Sequence, residues 1–143
     1  QAAIGCAQLD KFPSFVERRR HNFDRLKAGL EGTEKQLILP EAARFQAQLV
    51  RFPDYVQEGV ERNKVVQYVE KKGVQTRMLF AGNLTKHPCF DEMRQQARDT
   101  EFGSLDNTDR IMADTFWVGV YPGMTDEMID YMARTIKEAV ECA

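Results

Sequence analysis

The sequence predicts an α+β fold in which a short, mainly antiparallel sheet is covered by helices. The strand-like apolar runs are all short, and stretches with apolar residues at helical spacing separate them. Along the chain, the elements follow the order helix, helix, strand, strand, helix, strand, helix, strand, helix. Strands this short pair best in an antiparallel or mixed sheet, and amphipathic helices can bury one of its faces.

Composition and charge are those of an ordinary globular domain. The 143 residues are enough for one domain with a substantial core. Apolar residues make up 43% of the chain, and its formal net charge of −2 offers no broad basic surface for nucleic acid. No apolar run approaches the roughly 20 residues that cross a bilayer. We therefore expect neither a nucleic-acid nor a membrane partner.

The three cysteines, Cys6, Cys89 and Cys142, lie far apart and form no CxxC pair. Their odd number and wide spacing argue against a disulfide framework or a zinc site and fit free thiols in a reducing cytoplasm. His87 lies close to Cys89, but Pro88 stands between them and no third ligand is near. We therefore expect no metal site.

The N-terminal part of the chain is predicted to be helical up to Gly32. Residues 1–9 are small and apolar and are predicted to form a buried helix. Pro13 suits the first turn of a second helix, which Gly32 ends as a C-cap. The apolar positions of this second helix are Phe12, Val16, Phe23, Leu26 and Leu30. Because Gln1 is not a methionine and already lies in a helical pattern, we expect a piece of a longer polypeptide.

Two strand segments are predicted next. Residues 37–39 form a short strand, because Pro40 biases the residue before it away from helix. Residues 45–52 mix apolar and polar side chains in near alternation, which predicts a half-buried strand that Pro53 ends.

The second half of the chain alternates helices with strands. Helices are predicted over 61–72, 90–99 and 104–115, and strands over 74–80 and 116–121. In these elements, Val65, Val66, Val69, Ile111 and Met112 are predicted to be buried, and Gly73 ends the first helix. Thr125 is predicted to cap the last helix, with Asp126 and Glu127 in its positive first turn. The buried stripe of that helix comprises Met128, Ile129, Met132, Ile136 and Val140.

The segment 77–88 is the best candidate for the wall of a binding cleft. The guanidinium of Arg77 can hold a carboxylate or phosphate with two hydrogen bonds, or it can form a structural ion pair. Asn83 can contact a ligand or take a left-handed turn conformation. His87 can act as a general acid or base, or line the cleft as a polar residue. No Gly-rich phosphate loop, HExxH or GxSxG pattern is present, so these residues alone define no reaction.

Two other features have structural interpretations. The run 18–21, Arg-Arg-Arg-His, is interpreted as a charged helix face, because one turn of arginines on a near-neutral chain is a weak signal for an anion site. Trp117 is interpreted as a core residue whose indole N–H needs a partner. Tyr121 is interpreted chiefly as part of a turn with the following Pro-Gly pair.

Three further segments carry a family resemblance: GVQTRMLFAGNLT at 73–85, NTDRIM at 107–112 and FWVGVYPGMT at 116–125. Together with QAAIGCAQL at 1–9, they resemble the DegT/DnrJ/EryC1/StrS-type sugar enzymes of the pyridoxal-phosphate (PLP) superfamily. The pattern is most similar to the dehydratase branch, the CDP-4-keto-6-deoxy-D-glucose 3-dehydrases of lipopolysaccharide O-antigen synthesis. FQAQLV at 45–50 departs from the aromatic strand that is usual in this branch.

The resemblance implies the small C-terminal domain of an aspartate aminotransferase-like, fold type I subunit. Residues 1–143 would form a single domain and a C-terminal fragment of a longer enzyme, with 1–32 as a helical connector and 33–143 as the α+β small domain. Its partners would be the upstream cofactor domain of the same polypeptide and a second subunit of a homodimer.

The resemblance also implies removal of the C3 hydroxyl of a nucleotide-linked 4-keto-6-deoxy sugar. PLP in its amine form, pyridoxamine phosphate (PMP), supplies the electron sink, and a [2Fe–2S] cluster serves the reductive step. A histidine base and the cluster cysteines would lie upstream of Gln1, so we expect no catalytic residue and no bound cofactor in this chain, which should be inactive alone. Arg77 would bind an anionic group of the substrate, while Asn83, Thr85 and His87 would hydrogen-bond the sugar.

Two alternatives remain open. A PLP-dependent sugar aminotransferase has the same fold, and a lysine in place of the upstream histidine would favour it. A non-catalytic interaction or dimerisation domain is the second alternative, and a reading frame that starts at the first helix would favour it.

Overall fold

A computed structural model describes residues 2–40, 51–57, 59–96 and 103–143, without the side chains of residues 51–55. The helices are α1 (Ala2–Leu9), α2 (Phe12–Gly29), α3 (Arg62–Lys71), α4 (Asp91–Gln95), α5 (Asp106–Asp114) and α6 (Asp126–Glu141). The strands are β1 (Leu37–Ile38), β2 (Arg51–Val56), β3 (Thr76–Met78) and β4 (Thr115–Gly119). Two short 3₁₀ turns, Leu84–Lys86 and Pro88–Phe90, lie between β3 and α4.

The four strands form one antiparallel sheet in the order β1-β2-β4-β3. The last strand in the chain is therefore a central strand, with β2 on one side and β3 on the other. Val118 marks the register, because it lies opposite Phe52 of β2 and opposite Thr76 of β3. The prediction of a short, mainly antiparallel sheet is confirmed.

Alternate side chains of β4 point to opposite faces of the sheet. Phe116 and Val118 are fully buried, and Val120 continues the same row beyond the end of the strand. Trp117 and Gly119 lie on the other row. Trp117 is only half-buried, which corrects its interpretation as a core residue, and Gly119 is exposed. The buried row packs with α2, α3 and α6 into a single apolar core.

Helix α6 contributes the largest apolar stripe to this core. Ile129, Met132, Ile136 and Val140 are buried as predicted, whereas Met128 is 47% exposed. The Thr125 hydroxyl accepts the backbone N–H of Met128 at 3.3 Å, so the predicted N-cap is confirmed. In α3, the predicted apolar face of Val65, Val66 and Val69 is buried, and Gly73 follows the helix with a φ of 85°.

Helices α2 and α6 approach each other closely at Gly29. A Cβ atom at this position would lie 2.7 Å from the Cβ of Ala133, so only glycine allows this contact. Phe23, Leu26 and Leu30 of this region lie in the core as predicted. Phe12, at the start of α2, is 46% exposed, which corrects its predicted place in the apolar stripe.

Charged side chains reinforce the contact between α2 and α6. Asp126 accepts Arg18 Nη2 at 2.6 Å, and it lies 3.2 Å from His21 Nε2 and 3.1 Å from Arg25 Nη1. Arg25 also forms a two-bonded pair with Asp130, at 2.8 and 2.7 Å. The charged face predicted at residues 18–21 therefore exists, but it binds α6 as well as facing solvent.

Three further local predictions are wrong. Helix α1 forms, but none of its residues is buried, because nothing in the described chain covers it. Pro53 lies inside β2 and does not end it. Proline has no backbone N–H to donate to a neighbouring strand, and the described β1 pairs only with Tyr55 and Val56, so β1 forms no hydrogen bond with position 53. Ile111 is 42% exposed, because α5 turns Met112 towards the preceding loop instead. Residues 45–50 and 97–99 lie outside the described part.

Candidate functional site

Arg77 and Trp117 lie opposite each other on β3 and β4 at one edge of the sheet. The side chain of Arg77 is exposed, and none of the described carboxylates pairs with it. Both residues line a cavity of about 730 Å³, which we call the β3 groove. The groove is lined by Gly73, Val74, Gln75, Arg77, Trp117, Gly119, Tyr121, Met124, Glu127, Met128, Tyr131 and Met132.

The aromatic rings of the groove are fixed by their surroundings. The indole Nε1 of Trp117 donates to the backbone oxygen of Met78 at 3.2 Å, which supplies the partner that its N–H was predicted to need. The Tyr131 hydroxyl donates to the backbone oxygen of Lys72 at 2.9 Å. Tyr121 lies over Gly123, where a Cβ atom would be 3.0 Å from its ring. The two hydrogen bonds restrain the rings of Trp117 and Tyr131 before any ligand arrives.

A polar loop follows β3 and turns at Gly82, whose φ is 60°. A Cβ atom at Gly82 would collide with the side chain of Met112, so the position requires glycine for two reasons. Asn83 has a φ of −84°, which shows that the left-handed conformation considered for it is wrong. The glycine before it makes the turn instead.

Asn83 is a buried N-cap with an exposed fraction of 2%. Its Oδ1 accepts the backbone N–H of Thr85 at 3.1 Å and the Thr85 hydroxyl at 2.7 Å. Its Nδ2 donates to Asp109 Oδ1 at 2.7 Å, and its backbone N–H lies 3.2 Å from Met112 Sδ. The amide thus joins the loop to α5.

Asp109 receives a second bond, an ion pair from Lys86. The hydrogen bond from Lys86, and after it the one from Asn83, lower the pKa of this carboxyl below its usual value. His87 closes the same loop, because its Nε2 lies within hydrogen-bond distance of the backbone oxygen of Ala81.

The structure brings together three of the four predicted substrate-binding residues. Asn83, Thr85 and His87 share the loop 81–87, whereas Arg77 lines the β3 groove, which none of the other three lines. Their role in substrate binding stays a prediction. Asp109 and the groove aromatics were missed, because each acts through partners distant in sequence and no local pattern marks them.

The residues of the described ranges offer no group of three or more His, Cys, Asp or Glu side chains placed for a metal ion. No described helix is long and apolar enough to cross a membrane. The lining of the β3 groove has no lysine to form a Schiff base with PLP, and no serine or threonine hydroxyl for its phosphate. The groove therefore does not fit a PLP site.

Comparison with known proteins places the chain in a family. The model of the DegT/DnrJ/EryC1/StrS aminotransferase family matches residues 1–137. The chain belongs to this family. The family predicted from the motifs at 73–85, 107–112 and 116–125 is thereby confirmed.

Two curated proteins are similar over almost all of the chain. The lipopolysaccharide biosynthesis protein RfbH of Salmonella typhimurium is 42% identical over 141 residues, which are 96% of this chain and 31% of RfbH. The dTDP-4-dehydro-2,6-dideoxy-D-glucose 3-dehydratase of Saccharopolyspora spinosa is 38% identical over 142 residues, 98% of this chain and 30% of that protein. The chain spans about a third of the length of these relatives.

Solved structures of other proteins share the fold. The E. coli GDP-4-keto-6-deoxy-D-mannose-3-dehydratase with bound hydrated PLP superposes with a TM-score of 0.79 at 22% identity, over 94% of this chain and 34% of that one. The sugar aminotransferase Spr1654 of Streptococcus pneumoniae, in its PMP form, superposes with a TM-score of 0.80 at 20% identity, over 99% of this chain and 34% of that one. The predicted PLP-transferase type of α+β fold is confirmed.

Proposed function

We propose that this chain is the C-terminal small domain of a nucleotide-sugar 3-dehydratase in lipopolysaccharide O-antigen biosynthesis. The substrate is a CDP-linked 4-keto-6-deoxyhexose, and the reaction removes its C3 hydroxyl with PMP as the cofactor. The observation that carries the proposal is the identity of 42% and 38%, over nearly the whole chain, to a lipopolysaccharide biosynthesis protein and to a sugar 3-dehydratase. In this proposal residues 1–32 connect the two domains and residues 33–143 form the small domain.

The chain contributes one wall of the substrate cleft. Arg77 binds an anionic group of the substrate, because its guanidinium is exposed and unpaired among the described carboxylates. Thr85 and His87 hydrogen-bond the sugar from the loop 81–87. Asn83 and Asp109 hold that loop in one conformation, so little entropy is lost when the sugar binds.

The chemical step belongs to groups that this chain does not supply. The cofactor provides the amine and the electron sink when bound, and a [2Fe–2S] cluster provides the reducing electrons. The catalytic histidine and the cluster cysteines lie in the upstream domain, and a homodimer completes the site. Because the proposal places these groups outside this chain, it predicts that the chain alone has no dehydratase activity.

A chimera tests the proposal without the upstream sequence. This chain replaces the segment of RfbH that aligns with it, and the chimera is expressed in a Salmonella strain that lacks RfbH. Restored lipopolysaccharide synthesis is the expected result, and Arg77→Ala in the chimera should abolish the rescue while Arg110→Ala, on the opposite helix α5, should not. A chimera that folds and accumulates but restores nothing would contradict the proposal.

The purified chimera distinguishes the dehydratase from the alternatives. Incubated with PMP, a CDP-linked 4-keto-6-deoxyhexose and dithionite as the electron donor for the [2Fe–2S] cluster, it should give a product that has lost one oxygen atom at C3, as measured by mass spectrometry. A product that keeps this oxygen and gains an amino group would support the sugar aminotransferase, a function that the family description also names. Binding of the chain to RfbH without any turnover would support an interaction domain.

A further inference from the structure

We propose that the β3 groove binds the nucleoside diphosphate part of the substrate, with the base against the aromatic rings and a phosphate on Arg77. The inference rests on the proposed function, since it assigns one part of that substrate to a place in this chain. It adds Trp117, Tyr121, Tyr131 and Glu127 to the binding site.

The size and lining of the groove fit a small organic ligand. Its volume of about 730 Å³ lies within the range of roughly 300–1,000 Å³ that is typical of ligand sites. Such sites are mainly apolar, with a few polar groups that fix the orientation of the ligand. Here Met124, Met128 and Met132 supply adaptable apolar surface from one side of α6 and the turn before it.

The aromatic residues form a stacking surface that is already in place. Tyr121 is 50% exposed, so its ring is open to a ligand. Tyr131 is 42% exposed, and the guanidinium of Arg134 lies over its ring, 5.8 Å from the ring centroid. The indole N–H of Trp117 and the hydroxyl of Tyr131 donate to backbone oxygens, so the polar end of each side chain is fixed. A flat heteroaromatic base can stack on such a ring.

The charged residues of the groove complement two different parts of a nucleotide. Arg77 is exposed and has no described carboxylate partner, so a phosphate can accept two hydrogen bonds from its guanidinium. Glu127 is the acidic residue of the lining, and hydrogen bonds from its own backbone N–H and from Thr125 lower its pKa. Its carboxylate can accept the N–H groups of a base such as cytosine.

Simpler ligands use only part of this arrangement. An inorganic phosphate would bind Arg77 and leave the aromatic surface empty, and an uncharged apolar compound would leave Arg77 without a partner. A nucleotide combines a flat ring, N–H donors and a phosphate in one molecule. We therefore expect binding that requires both the base and the phosphate.

The chain provides its own probe, because Trp117 is its single tryptophan and lines the groove. CDP is titrated into the chain while tryptophan fluorescence is excited at wavelengths that cytosine does not absorb, and calorimetry gives an independent Kd. Cytidine and inorganic pyrophosphate are titrated in parallel. We expect saturable binding of CDP with a change in Trp117 fluorescence, and at least about tenfold weaker binding of each part alone.

Matched variants locate the site. Arg77→Ala should raise the Kd for CDP about tenfold or more, because it removes a charge-assisted bond. Arg110→Ala removes the same charge from α5, outside the groove, and should leave the Kd unchanged. Tyr121→Leu should weaken CDP and cytidine but not pyrophosphate. All three positions are exposed, and circular dichroism verifies that each variant is folded.

The proposal is overturned if calorimetry detects no saturable CDP binding. It is also overturned if pyrophosphate binds as tightly as CDP, or if Arg77→Ala and Arg110→Ala have equal effects. These results are independent of the chimera experiment. A chimera that restores lipopolysaccharide synthesis while this groove binds no CDP would retain the proposed function and reject the groove.

Discussion

Asn83 holds the loop after β3 through three hydrogen bonds of its side-chain amide. It is almost completely buried, caps the turn at Leu84–Lys86 and donates to Asp109 of α5. We expect Asn83→Ala to lower the free energy of unfolding by about 1–3 kcal/mol, since the buried partners lose their bonds. Urea denaturation measures this. The control Asn63→Ala, at an exposed position of α3, should change the free energy of unfolding by less than about 0.5 kcal/mol. Equal losses for the two variants would contradict the structural role of Asn83.

The sequence suggests the importance of this loop but not how it is built. A Gly-Asn pair after a strand predicts a turn, and both residues are indeed in one. Which of the two takes the left-handed conformation depends on the packing of Met112 over Gly82. The cap on Thr85 and the bond to Asp109 depend on a carboxylate 26 residues away in sequence. Contacts between residues so far apart in the chain produce no pattern in the sequence around either residue.

At the scale of elements, the contact between α2 and α6 depends on a single glycine. Gly29→Ala would ordinarily favour a helix, but here the new Cβ collides with Ala133. We expect a loss of about 1–3 kcal/mol of unfolding free energy, measured by urea denaturation.

Two further variants test the cause of this loss. Adding Ala133→Gly to Gly29→Ala should recover most of the stability, because it removes the atom that collides. Gly5→Ala, in a helix where nothing lies within 4 Å of the new Cβ, should be neutral or slightly stabilising. A double variant no more stable than Gly29→Ala alone would show that the close approach is not the cause.

The ion pairs between α2 and α6 predict a dependence of stability on pH. Hydrogen bonds from Arg18 and then His21, with the charge of Arg25 nearby, lower the pKa of Asp126 in the folded state. The stabilisation is therefore complete above the unfolded pKa of about 4 and is lost as the pH falls through the lower folded pKa. Urea midpoints of the wild type and Asp126→Asn should differ most above about pH 5 and converge in acid.

The control for this prediction is Asp24→Asn, at an exposed position of α2. Its urea midpoint should follow that of the wild type at every pH, because its carboxyl shows no pairing with α6. Added salt should also reduce the effect of Asp126→Asn, since the pairs are partly exposed. A difference between wild type and Asp126→Asn that does not change with pH would contradict the ion-pair explanation.

Element types were predictable because periodicity is local. The stripe of α6 and the cap at Thr125 follow directly from the sequence. The errors lie where tertiary contacts decide. Pro53 is accommodated in β2 because the described β1 is too short to reach it, and the sequence contains no information on the length of a neighbouring strand. Helix α1 forms where its composition predicts, but composition does not specify what covers a helix.

At the scale of the whole molecule, β4 connects the sheet to the helical layer. Phe116 is fully buried, and replacing it with alanine should cost about 3–5 kcal/mol of unfolding free energy. Phe80→Ala is the matched control, because Phe80 is 74% exposed and its loss should cost less than about 0.5 kcal/mol. Thermal and urea unfolding measure both. Similar losses for the two variants would show that β4 does not face the core.

The family and the fold class were predictable because their motifs are continuous in sequence. The β3 groove was not, because its aromatic rings come from β4, the turn after it and α6, and only folding brings them to Arg77. Each ring by itself fits a core or turn residue. Their common function as a surface exists only in the folded chain.

The central position of β4 also determines when this protein can fold during its synthesis. β2 and β3 are not neighbours in the sheet, and each pairs with a strand that leaves the ribosome long after both of them. Until residues 115–119 emerge, only β1 and β2 can pair, so the apolar faces of α2 and α3 have no complete sheet to cover, and α6 follows later still. Such late, long-range pairing slows folding and exposes apolar surface on the nascent chain. Chaperones that bind nascent chains should therefore associate with this polypeptide until its last helix has been translated.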